Sequence, residues 1–329
     1  MKLKHLILSA ALVLATVTTA TAQDRHMGQP GRKPAPYPTV YMTKDISPAG
    51  LQKIYEALGR KATGKVAVKI STGEPGGSNY LDPKLIKDFV KSVNGTIVEC
   101  NTAYKGKRFT ASDHMEAARE HGFTEIAPVD IMDAEGDIKL PMTDGTHLDY
   151  DIVGSHYPGY DFTVILSHFK GHAMGGFGGA IKNMSIGIAS SAGKTYIHTA
   201  GQTEDVEKVW TTKVEQDDFL ESMAEAAKCI ADHAGENIIY INVANNLSVD
   251  CDCDSHPAAP AMGDLGILAS LDPVALDRAC TDLVRDSDDP GKVHLIERID
   301  SRNGMHTLEW AEEIGLGTQR YNFVSLDEQ

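Results

Sequence analysis

The sequence predicts an α/β fold, with a mixed or mainly parallel sheet flanked by helices. Segments that alternate apolar and polar residues, as strands do, are interspersed with segments that have the apolar spacing of amphipathic helices. The 329 residues are 42% hydrophobic and 23% charged. These values are ordinary for a globular protein and exclude a disordered, collagen-like or coiled-coil chain.

In the first half of the chain, residues 64–70 alternate as a strand, and residues 82–93 follow as a helix with Pro83 in its first turn. The same patterns predict five more elements in this half: a strand at 96–100, a helix at 112–122 opened by Ser112 and Asp113, strands at 125–130 and 162–167, and a helix at 180–188.

In the second half, residues 216–233 form the clearest helix, because their apolar residues share one face. A strand at 237–243 follows, and a helix at 272–284 begins with an Asp-Pro pair. The last elements are a helix at 307–314, ended by Gly315, and a strand at 321–326. We expect residues 39–326 to form one domain, with residues 136–160 best suited to a small inserted subdomain.

The N-terminus has the pattern of a secretory signal peptide at residues 1–22. Lys2 and Lys4 precede an apolar run at 6–17, and residues 20–22 form an A-x-A cleavage site. The run is shorter than the ~20 residues that a membrane span needs. We therefore expect a secreted protein of the bacterial periplasm, with a flexible leader at 23–38 and no stable membrane insertion after cleavage.

The charge balance narrows the class of partner. Lys and Arg total 31 against 46 Asp and Glu, which gives a formal net charge of −15. Nucleic-acid binding requires a basic surface, and this balance argues against one. A small molecule, a metal ion or a protein partner remains.

The densest group of polar residues lies in the glycine-rich stretch 167–183, directly after a predicted strand. Ligands of open α/β sheets bind beyond the carboxyl ends of the strands, so this stretch is well placed for a site. His168, His172 and Lys182 are candidate catalytic residues, and Lys170 and Asn183 are candidate contacts to a small anionic substrate. The alternative interpretation is a flexible glycine loop with surface histidines.

Further candidates follow the neighbouring strands. Those for substrate binding are Lys69, Glu74, Asn101, Tyr104 and Arg108, because an arginine offers a fixed fork to a carboxylate or phosphate. Taken singly, a residue of this kind is more often a loop residue whose polar groups are satisfied by other parts of the protein. Downstream, Lys194 is a further candidate substrate contact and His198 a further candidate acid or base.

The cysteine pattern suggests a metal site. Cys251, Cys253 and His256 lie within six residues of chain, and His168 or His172 could complete the ligand set of a zinc, nickel or iron ion. The alternatives are free surface thiols, a C-x-C disulfide, or a turn built by the adjacent aspartates. An iron–sulfur cluster is disfavoured because the chain has five cysteines and no C-x-x-C.

Several of these segments together resemble the DUF362 family of uncharacterised proteins: KISTGE at 69–74, ECNTAY at 99–104, SHFKGHAMGGFGGAIKN at 167–183, the cysteine pair, GILASLDPVALD at 266–277, and the tail at 306–321. Many family members carry a ferredoxin-like four-iron insert, which this chain lacks. More loosely, a strand followed by a Lys/His loop and a glycine-rich helix start is similar to the nickel-dependent lactate racemase family. That similarity implies metal- or cofactor-assisted chemistry on α-hydroxy acids.

These observations lead to one main hypothesis. The chain is expected to be an exported metal-binding protein whose cleft holds a small anionic substrate and supports metal-assisted acid/base chemistry. The alternative is a non-catalytic metal-binding or iron–sulfur protein that transfers electrons to a redox partner.

Overall fold

The computed structural model describes residues 26–27 and 37–327, so the predicted signal peptide and most of the predicted leader lie outside the described residues. Nine strands form one sheet: β1 His26–Met27, β2 Thr39–Thr43, β3 Val66–Lys69, β4 Gly95–Glu99, β5 Val129–Ile131, β8 Phe162–His168, β11 Ile238–Ala244, β12 Gly266–Ser270 and β13 Asn322–Ser325. Two small antiparallel sheets pair β6 Asp137–Pro141 with β7 Tyr150–Gly154, and β9 Lys170–His172 with β10 Gly176–Gly178.

The large sheet is mainly parallel, as predicted. Its strand order is β1-β13-β2-β12-β11-β8-β3-β4-β5. β12 pairs antiparallel with both of its neighbours, β2 and β11, and the other pairs in the sheet are parallel. Because β8, β3 and β4 are parallel neighbours, their carboxyl ends meet at one edge of the sheet.

Helices cover both faces of the sheet. Those in the described residues are α1 Pro48–Ala57, α2 Pro83–Ser92, α3 Ala111–Glu120, α4 Ala180–Ile188, α5 Ser191–His198, α6 Gln216–Ala234, α7 Pro273–Asp286, α8 Lys292–Ser301 and α9 His306–Glu313. No helix in this part of the chain is long and apolar enough to span a membrane.

The alternation of side chains along the strands divides the core into two layers. In β3, Val66 and Val68 pack against α1, α2 and α3, whereas Ala67 faces the layer that includes α4, α6, α7 and α9. Two helices begin with a capping aspartate followed by proline: Asp82 caps α2 and Asp272 caps α7.

Two local predictions were wrong. α3 is capped by Thr110, whose hydroxyl accepts the Asp113 N–H, so Ser112 lies inside the helix. Residues 125–130 do not form a continuous strand, because the chain makes a 3₁₀ turn at Phe123–Glu125 before β5 begins.

The alternative interpretation of residues 167–183 as a flexible glycine loop with surface histidines is also contradicted. β9 and β10 form a hairpin in which Gly171 pairs with Phe177, and both His168 and His172 are buried.

Candidate functional site

A cavity of about 200 Å³ opens at the carboxyl edge of the sheet. Lys69 ends β3, Glu99 ends β4 and His168 ends β8, so three neighbouring parallel strands each deliver a polar residue to this edge. The β9–β10 hairpin and the start of α4 form the next part of its wall. This is the position at which open α/β sheets bind ligands.

The cavity wall is strongly cationic. It carries the side chains of five basic residues, Lys69, Arg108, Lys170, Lys182 and Lys194. Glu99 is the one acidic residue among the described residues that line it. Basic residues are therefore concentrated here in a chain of net charge −15, although Lys170 and Arg108 are each paired with a carboxylate behind the wall.

Lys69 and Asn183 connect the strand ends to α4. The Lys69 ammonium donates to Asn183 Oδ1 at 3.1 Å and to the Ile70 carbonyl at 2.5 Å. The Asn183 amide donates to the carbonyls of Lys69 and Leu166 and to Ser167 Oγ. Asn183 therefore positions β3 and β8, and its polar atoms are engaged with protein. Burial lowers the pKa of Lys69 to about 8.

Asp252 forms hydrogen bonds with two residues of the predicted glycine-rich site, His168 and Lys170. Its carboxylate accepts from His168 Nδ1 and from Lys170 Nζ, both at 2.8 Å. His168 Nε2 also contacts the Asn245 carbonyl, at 2.6 Å. Burial opposes ionisation of Asp252, but Lys170 and His168 outweigh it and hold the pKa of that carboxyl well below its usual range. Both nitrogens of His168 are thus occupied by protein atoms.

A second buried ionic cluster surrounds Arg108. The guanidinium donates to Glu74 at 2.5 Å and to the Tyr104 hydroxyl at 3.3 Å, and lies 3.6 Å from Glu99. Burial opposes ionisation of Glu99, but the His114 hydrogen bond and the nearby cations hold its pKa well below the usual range. Glu74 is therefore the partner of Arg108 and does not line the cavity.

Lys182 differs from the other cations. Lys194 donates to the Ala189 carbonyl at 2.5 Å, whereas the Lys182 ammonium has no hydrogen-bond or ion-pair partner among the residues that the structure describes. Burial, with a further contribution from Lys170, lowers the pKa of Lys182 to about 7. With this pKa, both the protonated and the neutral amine are populated near neutral pH. No described residue accepts a hydrogen bond from its N–H groups.

Two imidazoles in the cavity have opposite tautomers. His172 Nδ1 accepts the backbone N–H groups of Met174 and Gly175, at 3.3 and 2.8 Å, so the proton of the neutral ring is on Nε2. His198 Nδ1 instead donates to the Lys194 carbonyl at 2.7 Å, which leaves a lone pair on Nε2. Burial lowers the pKa of His198 to about 4 and that of His172 well below 6.5, so both rings are neutral at pH 7.

Cys253 lines the cavity and is joined by a disulfide to Cys251, which lines a neighbouring cavity. One nitrogen of His172 and the two sulfurs lie within 4.8 Å of one another, which is a group that could hold a metal ion. In the disulfide form, two features of this group prevent it from binding a metal ion. The sulfurs are bonded to each other, and His172 Nδ1 accepts rather than donates, so Nε2 presents a proton in place of a lone pair. Reduction and a change at His172 would have to precede metal binding.

The family to which these residues belong follows from comparison with known sequences. Residues 66–282 match a family described as a domain of unknown function, DUF362, and this stretch contains every residue of the cavity wall. The chain belongs to the DUF362 family. No curated protein matches this DUF362 chain.

Solved structures give distant similarities. The lactate racemase apoprotein from Thermoanaerobacterium thermosaccharolyticum is 17% identical, with a TM-score of 0.37 over 62% of the DUF362 chain and 50% of its own. A protein from Thermotoga maritima is 11% identical, with a TM-score of 0.40 over 81% of this chain and 58% of its own. The DUF362 chain thus spans about half the length of each of these two proteins.

The structure separates the sequence-predicted residues into two sets. It brings to the cavity wall His168, His172, His198, Lys69, Tyr104, Arg108, Lys170, Lys182, Asn183, Lys194 and Cys253. The residues that do not line it are Glu74, Asn101, Cys251 and His256. Asn101 contacts the buried His114 at 3.3 Å. The exposed His256 contacts Ser255 in the neighbouring cavity and is not part of the group that His172 forms with the two cysteines.

Two residues of the site were not singled out from the sequence. Asp252 accepts hydrogen bonds from His168 and Lys170. It lies between the two cysteines, and the sequence pattern there predicted a role for the thiols only. Trp210 lines the cavity with 58% of its surface exposed and contacts the His198 ring edge-on at 5.9 Å between centroids. It lies in a loop without periodic pattern, so no sequence signal marked it.

Proposed function

We propose that this protein binds a small anionic molecule in the cavity and carries out acid/base chemistry on it, with Lys182 as the group that exchanges the proton. The observation that carries the proposal is the Lys182 ammonium, which faces a cavity of fixed cations and has no partner among the described residues. The other four cations are held by protein atoms and supply a preorganised field.

A bound carboxylate or phosphate would relieve an existing repulsion. Lys170, Lys69 and Arg108 all lower the pKa of Lys182. An anion placed among them would favour the ammonium form and raise that pKa again. Ligand binding and proton uptake by Lys182 are therefore coupled.

The two imidazoles extend this chemistry. His172 offers an N–H donor at Nε2 and His198 offers a lone pair at Nε2. A ligand that contacts both would have one atom polarised by a donor and another hydrogen-bonded to an acceptor. Lys182, with a pKa near 7, is the member of the three best matched to proton transfer at neutral pH.

The test uses acetate and acetamide, which have the same shape and differ in charge. At equal concentration and matched ionic strength, acetate should raise the melting temperature of the full chain and acetamide should not. Lys182→Met should abolish the acetate effect. Lys87→Met, which removes an exposed lysine of α2, is the control and should preserve it. Equal shifts by both ligands, or an acetate shift that survives Lys182→Met, would contradict the proposal.

The pH dependence adds a second readout. Because the ammonium form binds anions, acetate affinity should fall as pH rises through 7. Lys182→Arg keeps a permanent charge, so its affinity should lose this dependence. The same variant should bind acetate but fail in any proton transfer assigned to Lys182.

Metal binding by the reduced chain is a second candidate function. It is favoured by the grouping of His172 with both sulfurs, and zinc, nickel or iron would suit such a donor set. Elemental analysis of the protein, with and without prior reduction, tests it. Stoichiometric metal in the reduced protein that is lost in Cys251→Ser/Cys253→Ser would support the site, and reduced protein that stays metal-free would rule it out.

We also propose that the protein is exported. The signal-peptide pattern at residues 1–22 supports this, and an oxidising compartment is the setting in which a Cys251–Cys253 disulfide persists. N-terminal sequencing of protein from a periplasmic fraction should begin at Gln23, and a chain that retains residues 1–22 in the cytoplasm would contradict export.

A further inference from the structure

The disulfide forms part of the wall between two cavities. Cys253 is partly exposed and lines both the cationic cavity and a neighbouring one, whereas Cys251 is only 5% exposed and lines the neighbouring cavity. Cys253 is therefore the more exposed residue of the pair and the one that the cationic cavity reaches. A nucleophile bound among the cations would be close to it.

The loop around the disulfide is held by contacts that do not depend on the S–S bond. The Asp252 carboxylate is bound by His168 and Lys170, and its carbonyl accepts from the Glu74 N–H at 2.8 Å. The Cys253 carbonyl accepts from the Tyr104 hydroxyl at 3.3 Å. Only one residue separates the cysteines, and closing so short a loop restricts the unfolded chain little. The bond can open without loss of the site.

The charges on the two sides of the disulfide differ. The neighbouring cavity carries the acids Glu74, Asp250 and Asp254 beside Lys105 and Lys107. On the other side the cavity wall carries five basic residues and Glu99. A negatively charged nucleophile is therefore drawn to the disulfide from the cationic side.

The other cysteines cannot take part in exchange. Cys100, Cys229 and Cys280 are free thiols buried in the core. Burial raises the pKa of each of them. Cys251 and Cys253 therefore form an isolated two-electron pair among the described residues.

We propose that Cys251 and Cys253 are a thiol–disulfide exchange centre whose substrate is a low-molecular-weight thiol that carries a carboxylate. The inference rests on the proposed function, because the cavity cations are what select the anionic thiol. It names the substrate class and adds a redox reaction.

The reaction balances without a further reactant. The substrate thiolate attacks Cys253 Sγ, the S–S bond breaks, and Cys251 leaves as a thiolate. One nitrogen of His172 lies within 4.8 Å of both sulfurs, so this imidazole is beside the thiolate as it forms. A second substrate thiolate attacks the substrate sulfur of the mixed disulfide, and Cys253 leaves. Two thiolates become one disulfide, and their two electrons remain on the cysteine pair.

The test measures reduction of the full chain by three thiols of different charge: 3-mercaptopropionate, 2-mercaptoethanol and cysteamine. Rates are expressed per thiolate, with a neutral dialkyl disulfide as the reference. Iodoacetamide labelling followed by peptide mass analysis reports which cysteines are reduced. The net charge of −15 alone predicts that the cationic thiol is fastest. The proposal predicts the opposite, an advantage of about tenfold for 3-mercaptopropionate.

Variants test which residues cause the preference for the anionic thiol. Lys182→Met should remove the preference for the anionic thiol, and the control Lys87→Met should preserve it. In Cys251→Ser, the remaining Cys253 should form a mixed disulfide with 3,3′-dithiodipropionate in the folded protein. The proposal is overturned if the pair resists reduction until the chain unfolds, or if rates follow the net charge.

The outcome also separates this inference from the proposed function. If acetate stabilises the protein but 3-mercaptopropionate has no rate advantage, the exchange reaction is wrong and the anion site stands. If neither acetate binding nor a preference for the anionic thiol is found, the anion site itself is wrong.

Discussion

The Asp277 carboxylate accepts the backbone N–H of Ala180 at 2.8 Å, although 97 positions separate the two residues. Its second oxygen accepts the Ile181 N–H at 3.0 Å, and Asn242 donates to the first at 2.7 Å. The N-cap position of α4 is Gly179, which has no side chain to cap the helix. A carboxylate from α7 therefore caps the helix that carries Lys182.

Asp277→Ala should lower the free energy of unfolding by about 2–4 kcal/mol, because it leaves the buried N–H groups of Ala180 and Ile181 without an acceptor and Asn242 with only the Cys280 sulfur. Asp277→Asn keeps one acceptor oxygen and should cost less. Urea unfolding at pH 7 measures both, with the exposed Asp88→Asn as control. A loss in Asp277→Ala no larger than in the control would show that α4 needs no cap.

Glu99→Gln should destabilise the protein by about 3–5 kcal/mol at pH 7, since it removes the counter-charge of the buried Lys69 and one of the two counter-charges of Arg108. The folded pKa of Glu99 is depressed, so the stability it contributes is present above the ordinary value of 4.5 and is lost as pH falls towards the folded pKa. The deficit of the variant should therefore shrink below about pH 4.5. Urea midpoints between pH 3.5 and 8 (roughly the range over which carboxyls titrate) check this, and a deficit independent of pH would contradict it. Glu120→Gln is the exposed control.

The contribution of Asp151 to stability should change with pH in the direction opposite to that of Glu99. Both of its carboxylate oxygens are buried and have no hydrogen-bond partner among the described residues, and burial raises its pKa to about 7. The folded state thus holds the proton more tightly than the unfolded state, so this residue adds stability as pH falls from about 7 towards 4. Asp151→Asn should stabilise the protein at pH 8, and its advantage should disappear near pH 4. A variant that is less stable than the native chain at pH 8 would contradict the assignment.

Two glycines of the β9–β10 hairpin form a matched pair. A Cβ on Gly171 would lie 2.4 Å from the Val249 carbonyl oxygen, whereas a Cβ on Gly178 would meet its nearest atoms at 3.7 Å. Gly171→Ala should cost about 1–3 kcal/mol or more, because backbone must move, and Gly178→Ala should be tolerated. Thermal unfolding compares them. Equal stability of the two variants would show that the hairpin does not depend on this close approach.

The fold class and most elements could be predicted because their signals are local. The spacing of apolar residues predicted α2 and α6, the Asp-Pro pair predicted the start of α7, and the bounds predicted for α4 are confirmed. α5 was missed because it contains Gly193 and Thr195, which have low helix propensity, and tertiary packing overrides that preference.

The cationic cavity could be predicted in outline for a similar reason. Lys69 and His168 end parallel strands, and such ends meet at one edge of a sheet. The pairing within the site could not be predicted. Asp252 and Asp254 have almost the same neighbours in the sequence, yet one is buried against Lys170 and the other is exposed. The burial of Asp252 depends on its hydrogen bond with Lys170, which is 82 positions away in the sequence.

The position of β13 beside β2 has a consequence for the order of folding. Thr43 and Asp327 share a 2.6 Å hydrogen bond across 284 positions of chain, and both partners of β2 in the sheet, β12 and β13, come from the last quarter of the sequence. β12, the earlier of the two partners, begins at Gly266, and a ribosome adding about 5–20 residues per second needs roughly 10–45 seconds to reach it from Thr43. Throughout that interval β2 has no strand to pair with, so the first long strand synthesised is among the last to enter the sheet.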